Sequence, residues 1–236
     1  KVNMWTTEGE PAKIINTSLP PGTTGATVIT DYINAIGGAD KAAKIKDLQT
    51  TVVMKTRGME IIVKQAQKGG DKLLQEMLMG GQSLGKTILS NGKAIQTGQG
   101  GVVRNIDGSE LNDLKEQALP IKEVNYLGAD YQLMLKGIEE INGKGAYLIE
   151  VTHPGGNKTT EYYDVATSLK VREISMSKAP DGSETTVTND YEDYKAVDGV
   201  KFPHATTTTG VFPMPMKAVV SEIKANAGVD DAIFEI

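Results

Sequence analysis

The sequence predicts an α+β chain that is mostly β: a curved antiparallel meander covered by a few short helices. Three observations carry this. Between Asp130 and Phe202, short segments are separated by two-residue turn signals such as Asn142-Gly143 and Asp198-Gly199, the pattern of consecutive hairpins. Within those segments Tyr131, Leu133 and Leu135 fall on one face, with Gln132 and Lys136 on the other. Tyr147, Ile149 and Val151 repeat the alternation, blurred by Leu148 on the opposite face. Period two places one face on a core and the other in water. Helical patterning, the third observation, is confined to short stretches with their own caps and stops.

Residues 1–20 read as a leader containing Trp5, closed by the proline-stiffened Ser18-Leu19-Pro20-Pro21-Gly22. A first helix follows. Thr24 caps it, and Ile29, Tyr32, Ile33 and Ile36 form one apolar stripe at i, i+3, i+4 and i+7. Gly37-Gly38 stops it, and a short helical piece is expected over Ala39–Ile45. These helices either cover one end of the sheet or form a lid over a cavity. Strands begin near Leu48. Thr50–Thr56 and Met59–Gln67 make a hairpin around Arg57-Gly58, followed by Lys72–Met79 and Leu84–Ser90. Apolar residues on both faces of Lys72–Met79 predict a strand covered on both sides. The glycine-rich run from Gln96 to Gly101 reads as a loop, without the Lys-Ser/Thr ending of a phosphate loop. Ser109 is the expected N-cap of a third helix, with Leu111, Leu114 and Ala118 as its stripe and Pro120 as its limit. After the meander comes a strand over Lys217–Lys224, and Ile233 and Phe234 anchor the tail.

The 236 residues suit one large β domain, burying roughly 70% of the unfolded surface without a disulfide or metal. The net charge is −5 with no basic run, which argues against a nucleic-acid partner. There is no cysteine, no stretch apolar enough to span a bilayer, and no signal peptide. The chain opens at Lys1 and reads as a processed or trimmed product.

Candidate chemistry is sparse. His153 and His204 each adjoin a proline and lack a partner at metal-ligand spacing. The acidic groups Glu139-Glu140, Asp230-Asp231 and Asp190/Glu192/Asp193 read as solvated. No catalytic residue, metal site or cofactor is assigned. The nine methionines either fill an irregular core or line a surface for variable apolar ligands. The segment Val211-Phe212-Pro213-Met214-Pro215-Met216 reads as a cavity rim or a blocked edge.

The helix ending Ala35-Ile36-Gly37-Gly38, the blocks Glu161-Tyr162-Tyr163-Asp164 and Asp190-Tyr191-Glu192-Asp193-Tyr194, and Asp198-Gly199-Val200-Lys201-Phe202-Pro203 carry a resemblance. Over roughly residues 20–236 the chain resembles the bacterial outer-membrane lipoprotein carrier superfamily, LolA/LolB-like. The nearest resemblance is to domains at the C-terminus of insulinase-family zinc peptidase homologues of Bacteroidetes, with residues 1–13 like the end of a preceding peptidase-type domain. The resemblance implies an unclosed antiparallel β-barrel over residues 21–236, with the helices as plug or lid. It implies a periplasmic or envelope location and an apolar ligand, a lipid or lipoprotein acyl chain. Ile29, Tyr32, Ile33 and Ile36 are then the lid, and Met54, Met77, Tyr131, Leu133 and Met134 the wall. The peptidase zinc motif is absent, so this chain is not read as an enzyme. The second reading is an accessory module that packs on a peptidase domain of the same protein without binding a ligand.

Overall fold

A computed structural model describes residues 19–56, 58–178, 183–211 and 213–236. Most of the expected leader, Trp5 included, and Arg57 and Phe212 lie outside the described residues.

The strands form one 13-stranded sheet in the order β6-β5-β4-β3-β2-β1-β13-β12-β11-β10-β9-β8-β7. On one side are β1 (Asp47–Thr56), β2 (Met59–Lys68), β3 (Lys72–Met79), β4 (Gln82–Ser90), β5 (Lys93–Gly98) and β6 (Val103–Ile106). On the other are β7 (Gln132–Ile141), β8 (Lys144–Thr152), β9 (Lys158–Asp164), β10 (Lys170–Lys178), β11 (Glu184–Val197), β12 (Val200–Thr209) and β13 (Met216–Ala225). Within β1–β6 and within β7–β13 consecutive strands pair antiparallel, β13 returns to pair with β1, and β6 and β7 are the two edges. The expected meander is therefore one half of a larger sheet. The Gln96–Gly101 run is not all loop: β5 reaches Gly98, because Thr97 and Gln96 pair with Lys86 and Thr87.

Helix α1 (Gly25–Ile36) begins in a capping box, with Thr24 Oγ1 accepting from Thr27 N–H at 3.1 Å. Its expected stripe is buried with Val28. Helix α2 is shorter than expected, Ala39–Ala42. Helix α3 (Gly108–Gln117) starts two residues early, with Asp107 rather than Ser109 in the N-cap position.

Register shows that α1 and α3 lie on the same face. Leu48, packed with α1, pairs with Gln67, which pairs with Leu73, packed with α3. Residues in register point to the same side. That face is concave by a length argument. Laid flat, the spacing of about 4.8 Å between strands would put the β6 and β7 edges about 58 Å apart. Helix α3 is ten residues long, about 15 Å, yet it touches both flanks. Leu111, Leu114 and Ala118 pack on Leu73, Leu89, Ala94 and Ile106 of β3–β6. Glu116 meets His153, just past β8, and Tyr131, just before β7. The sheet must curl for one short helix to reach both. The result is an unclosed antiparallel barrel whose seam is bridged by α3. The expected anchor of the tail sits on the opposite, outer face, where Ile233 and Phe234 pack over Ala66 and Ile88.

Candidate functional site: an open apolar strip above a plugged concave face

The concave face has a plugged part and an open part. In the plugged part α1 lies across β12 and β7. Ile29, Tyr32, Ile33 and Ile36 pack on Ile149, Val151, Tyr163, Val200 and Phe202. Tyr32 meets the Tyr163 ring edge-on at 5.2 Å between centroids. The predicted lid residues are thus brought together, and they make the core of this half of the molecule.

Beneath this core is a group of charges that the sequence reading missed. Lys170 Nζ lies 2.7 Å from Glu123, 3.0 Å from Glu161 and 2.8 Å from Glu173. Lys122 adds 2.8 Å to Glu173. Tyr126 and Tyr163 donate to the two oxygens of Glu161 at 2.7 and 2.5 Å. Burial would lift the Glu161 and Glu173 carboxyls, but Lys170 and Lys122 outweigh it and hold both below the usual range. Burial would likewise lower the Lys170 ammonium, and the three carboxylates push it well above its ordinary value instead. Glu139 is also buried, taking the Tyr162 hydroxyl at 3.1 Å, so it is not a solvated acid. The signal available in the sequence was parity: Glu161 and Glu173 share the inward face of their strands with Tyr163 and Ser175.

At the edge of this group, His153 Nδ1 faces Glu116 at 3.1 Å and Nε2 faces Thr159 Oγ1 at 2.9 Å. The order Glu-His-Thr looks like a nucleophile array. The Thr159 hydroxyl, however, donates to Glu161 at 3.1 Å, so its proton is not directed at His153. The ring is shut behind Tyr126 and Tyr131. This arrangement clamps α3 rather than activating a hydroxyl. His204 instead bonds the Phe202 carbonyl at 2.9 Å. Among the described residues no cluster of acids and histidines is placed to hold a metal.

The open part lies at the far ends of the central strands. Val52, Val63 and Met77 form one row in register, and Met54, Ile61 and Met79 the next. Strand β13 adds Val220 beside Val52 and Ala218 beside Met54. Inward parity follows from Leu48 and Leu73. These side chains are half-buried, and Met77 and Met79 are 37% and 38% exposed. The charged residues of the same strands, Lys64, Glu76 and Lys86, alternate to the outer face.

Of the predicted wall, Met54 and Met77 lie on this strip. Tyr131 and Leu133 share the concave face but sit under helices. Tyr131 bonds Glu116, and a Cβ at Gly25 of α1 would come within 2.9 Å of Leu133 Cβ. Met134 needs correction: it is the strand neighbour of Leu133, so alternation turns it to the outer face, where it is 54% exposed. Of the described methionines only Met216 is buried, so core filling does not explain them. The outer face holds its own open depression of about 590 Å³, lined by Val53, Lys55, Glu60, Lys217, Val219 and Ser221.

No protein-family model and no curated protein matches the chain. Solved structures do. A DUF1329 family protein from Desulfovibrio piger superposes with a TM-score of 0.60 at 15% identity, covering 89% of this chain and 96% of that one. A LolA superfamily protein from Nitrosomonas europaea gives 0.59 at 12%, covering 91% and 99%. A putative outer membrane lipoprotein-sorting protein domain from Vibrio parahaemolyticus gives 0.58 at 12%, covering 89% and 97%. At these identities the likeness is one of fold, the LolA-like open barrel.

Proposed function

We propose that this chain binds an apolar chain of the kind carried by lipids and lipoproteins, laid on the open strip of its concave face, in the periplasm or at the outer membrane. The observation that carries the reading is the strip itself: contiguous, apolar, partly exposed, and free of charge over four neighbouring strands. Contiguous apolar surface of this kind marks a binding site more often than scattered exposed residues do. Each methylene removed from water there contributes about 0.8 kcal/mol. Methionines at 54, 77 and 79 let the floor adapt to the chain. The fold supports the same reading, since one structural relative is named for lipoprotein sorting and another for the LolA superfamily. The role is binding without catalysis. Among the described residues no helix is long and apolar enough to cross a membrane. The peptidase partner implied by the sequence resemblance forms no part of this proposal, because neither the fold nor its structural relatives point to it.

The test must leave α1 alone, since aspartate at Tyr32 or Ile33 would enter the core and unfold the domain. Val52→Asp or Met77→Asp places a charge on the half-exposed strip instead. Native mass spectrometry of the purified chain should show an acyl-bearing adduct, or uptake of added monoacylglycerol. Both variants should lose it while keeping the far-ultraviolet circular dichroism of the parent. Uptake that survives both substitutions refutes the strip as the site.

A further inference from the structure

The strip ends, toward α3, at a row of uncharged polar side chains. Thr50, Gln65, Gln75, Thr87 and Gln96 stand in register across β1 to β5, one row below Val52, Val63 and Met77. Gln75 Nε2 donates to Gln65 Oε1 at 3.2 Å and to Gln117 Oε1, from the end of α3, at 2.9 Å. One row deeper, Gln67 Nε2 bonds the Gln117 and Leu119 carbonyls at 2.5 and 3.1 Å and fixes that end of the helix beside the row.

A primary amide has two N–H donors and one carbonyl acceptor. The bonds between these side chains use the amino group of Gln75 and the carbonyls of Gln65 and Gln117. They leave the amino groups of Gln65 and Gln117 to donate at the foot of the strip. The row has no free cation. Arg104, at its far end, is held bidentate by Glu110 at 2.6 and 2.7 Å and by Gln96. An anionic head group seated here would lose water and gain no counter-charge. A neutral carbonyl would gain the amide donors at little desolvation cost.

Resting on the apolar-chain reading above, we infer that the glutamine row is a subsite for the linkage carbonyl of the ligand. The site takes acyl chains joined through a neutral ester or amide and discriminates against the same chain ending in a carboxylate.

The experiment compares 1-monolauroylglycerol, laurate and dodecanol at pH 8 on the delipidated full chain, by displacement of a fluorescent apolar probe. Monolauroylglycerol should bind about ten-fold more tightly than laurate. In Gln65→Leu and Gln75→Leu the ratio should fall toward unity while dodecanol binding is kept, which a merely structural role of the row would not produce. Equal binding of ester and acid to the parent, or a ratio unmoved by both substitutions, overturns the subsite and leaves the strip standing. Binding of none of the three probes removes the apolar-chain reading, and this inference with it.

Discussion

Gly37 does two jobs, and only one of them can be read locally. It ends α1 with φ at +139°, in the region that favours glycine, its N–H reaching back to the Asn34 carbonyl. It also lets the helix end touch the β11–β12 turn, where an added Cβ would fall 2.4 Å from the Gly199 carbonyl oxygen. Gly38, at φ +96°, has open space around it. Gly37→Ala should therefore cost about 3 kcal/mol and Gly38→Ala about 1 kcal/mol. Urea unfolding of the two variants checks this, and equal losses would mean that the close approach is not held in solution. The helix stop was legible because it is written in adjacent residues. The approach to Gly199 was not, because its partner is far along the chain. The Lys170 group escaped notice for the same reason. Its members come from the turn at Lys122–Asn125 and from β9 and β10, and no spacing in the sequence links them. Met134 is the opposite case: its residue type suggests an apolar wall, but the local alternation that Leu133 fixes turns it outward.

At the scale of elements, α3 is the piece whose role changes most between sequence and structure. Its apolar stripe was legible in Leu111, Leu114 and Ala118, and that stripe does cover the β3–β6 half of the concave face. Its other side carries the contacts that span the seam. Glu116 accepts from Tyr131 at 2.9 Å and faces His153, while Asp113 takes the Asn157 amide. Burial would raise the Glu116 carboxyl, but the bonds from His153 and Tyr131 bring it below its ordinary value. Glu116→Gln keeps the shape and removes the charge. It loses roughly 1.5 kcal/mol of charge-assisted bonding, about ten-fold in the opening equilibrium of α3. Amide hydrogen exchange over residues 108–117 should speed up by that factor, with β8 and β9 little changed. An unchanged rate would show that the apolar stripe alone holds the helix. Helix α1 differs in kind. Its stripe is all core, so in this conformation it works as a plug, and the apolar surface open to a ligand lies beside it on β13, β1, β2 and β3.

The molecule as a whole combines a long open sheet with a floor of buried charge, and this gives it a pH signature. Hairpin signals made most of the strand order readable. The curl was not, because it depends on one helix meeting both edges. Within the curled sheet, Glu161 and Glu173 are held below the usual carboxylate range. Their stabilising share is fully present above about pH 4.3, the unfolded value, and is lost as pH falls through their folded values. Lys170 is raised, so its share is full below about pH 10.4 and is lost as pH rises through its folded value. Stability measured by urea should hold between these limits and fall on either side. Lys170→Met changes the sign of the acid limb. Among the described residues it leaves Glu123, Glu161 and Glu173 with Lys122 as their one cation, at a cost of about 3–5 kcal/mol near pH 7. The carboxyls of the variant then sit above their unfolded values. Protonation relieves the buried charge, and the deficit against the parent should shrink as pH is lowered from 7 toward 4. A deficit constant over that range would mean that the variant keeps its carboxylates solvated, and that the floor opens to water once the lysine is gone.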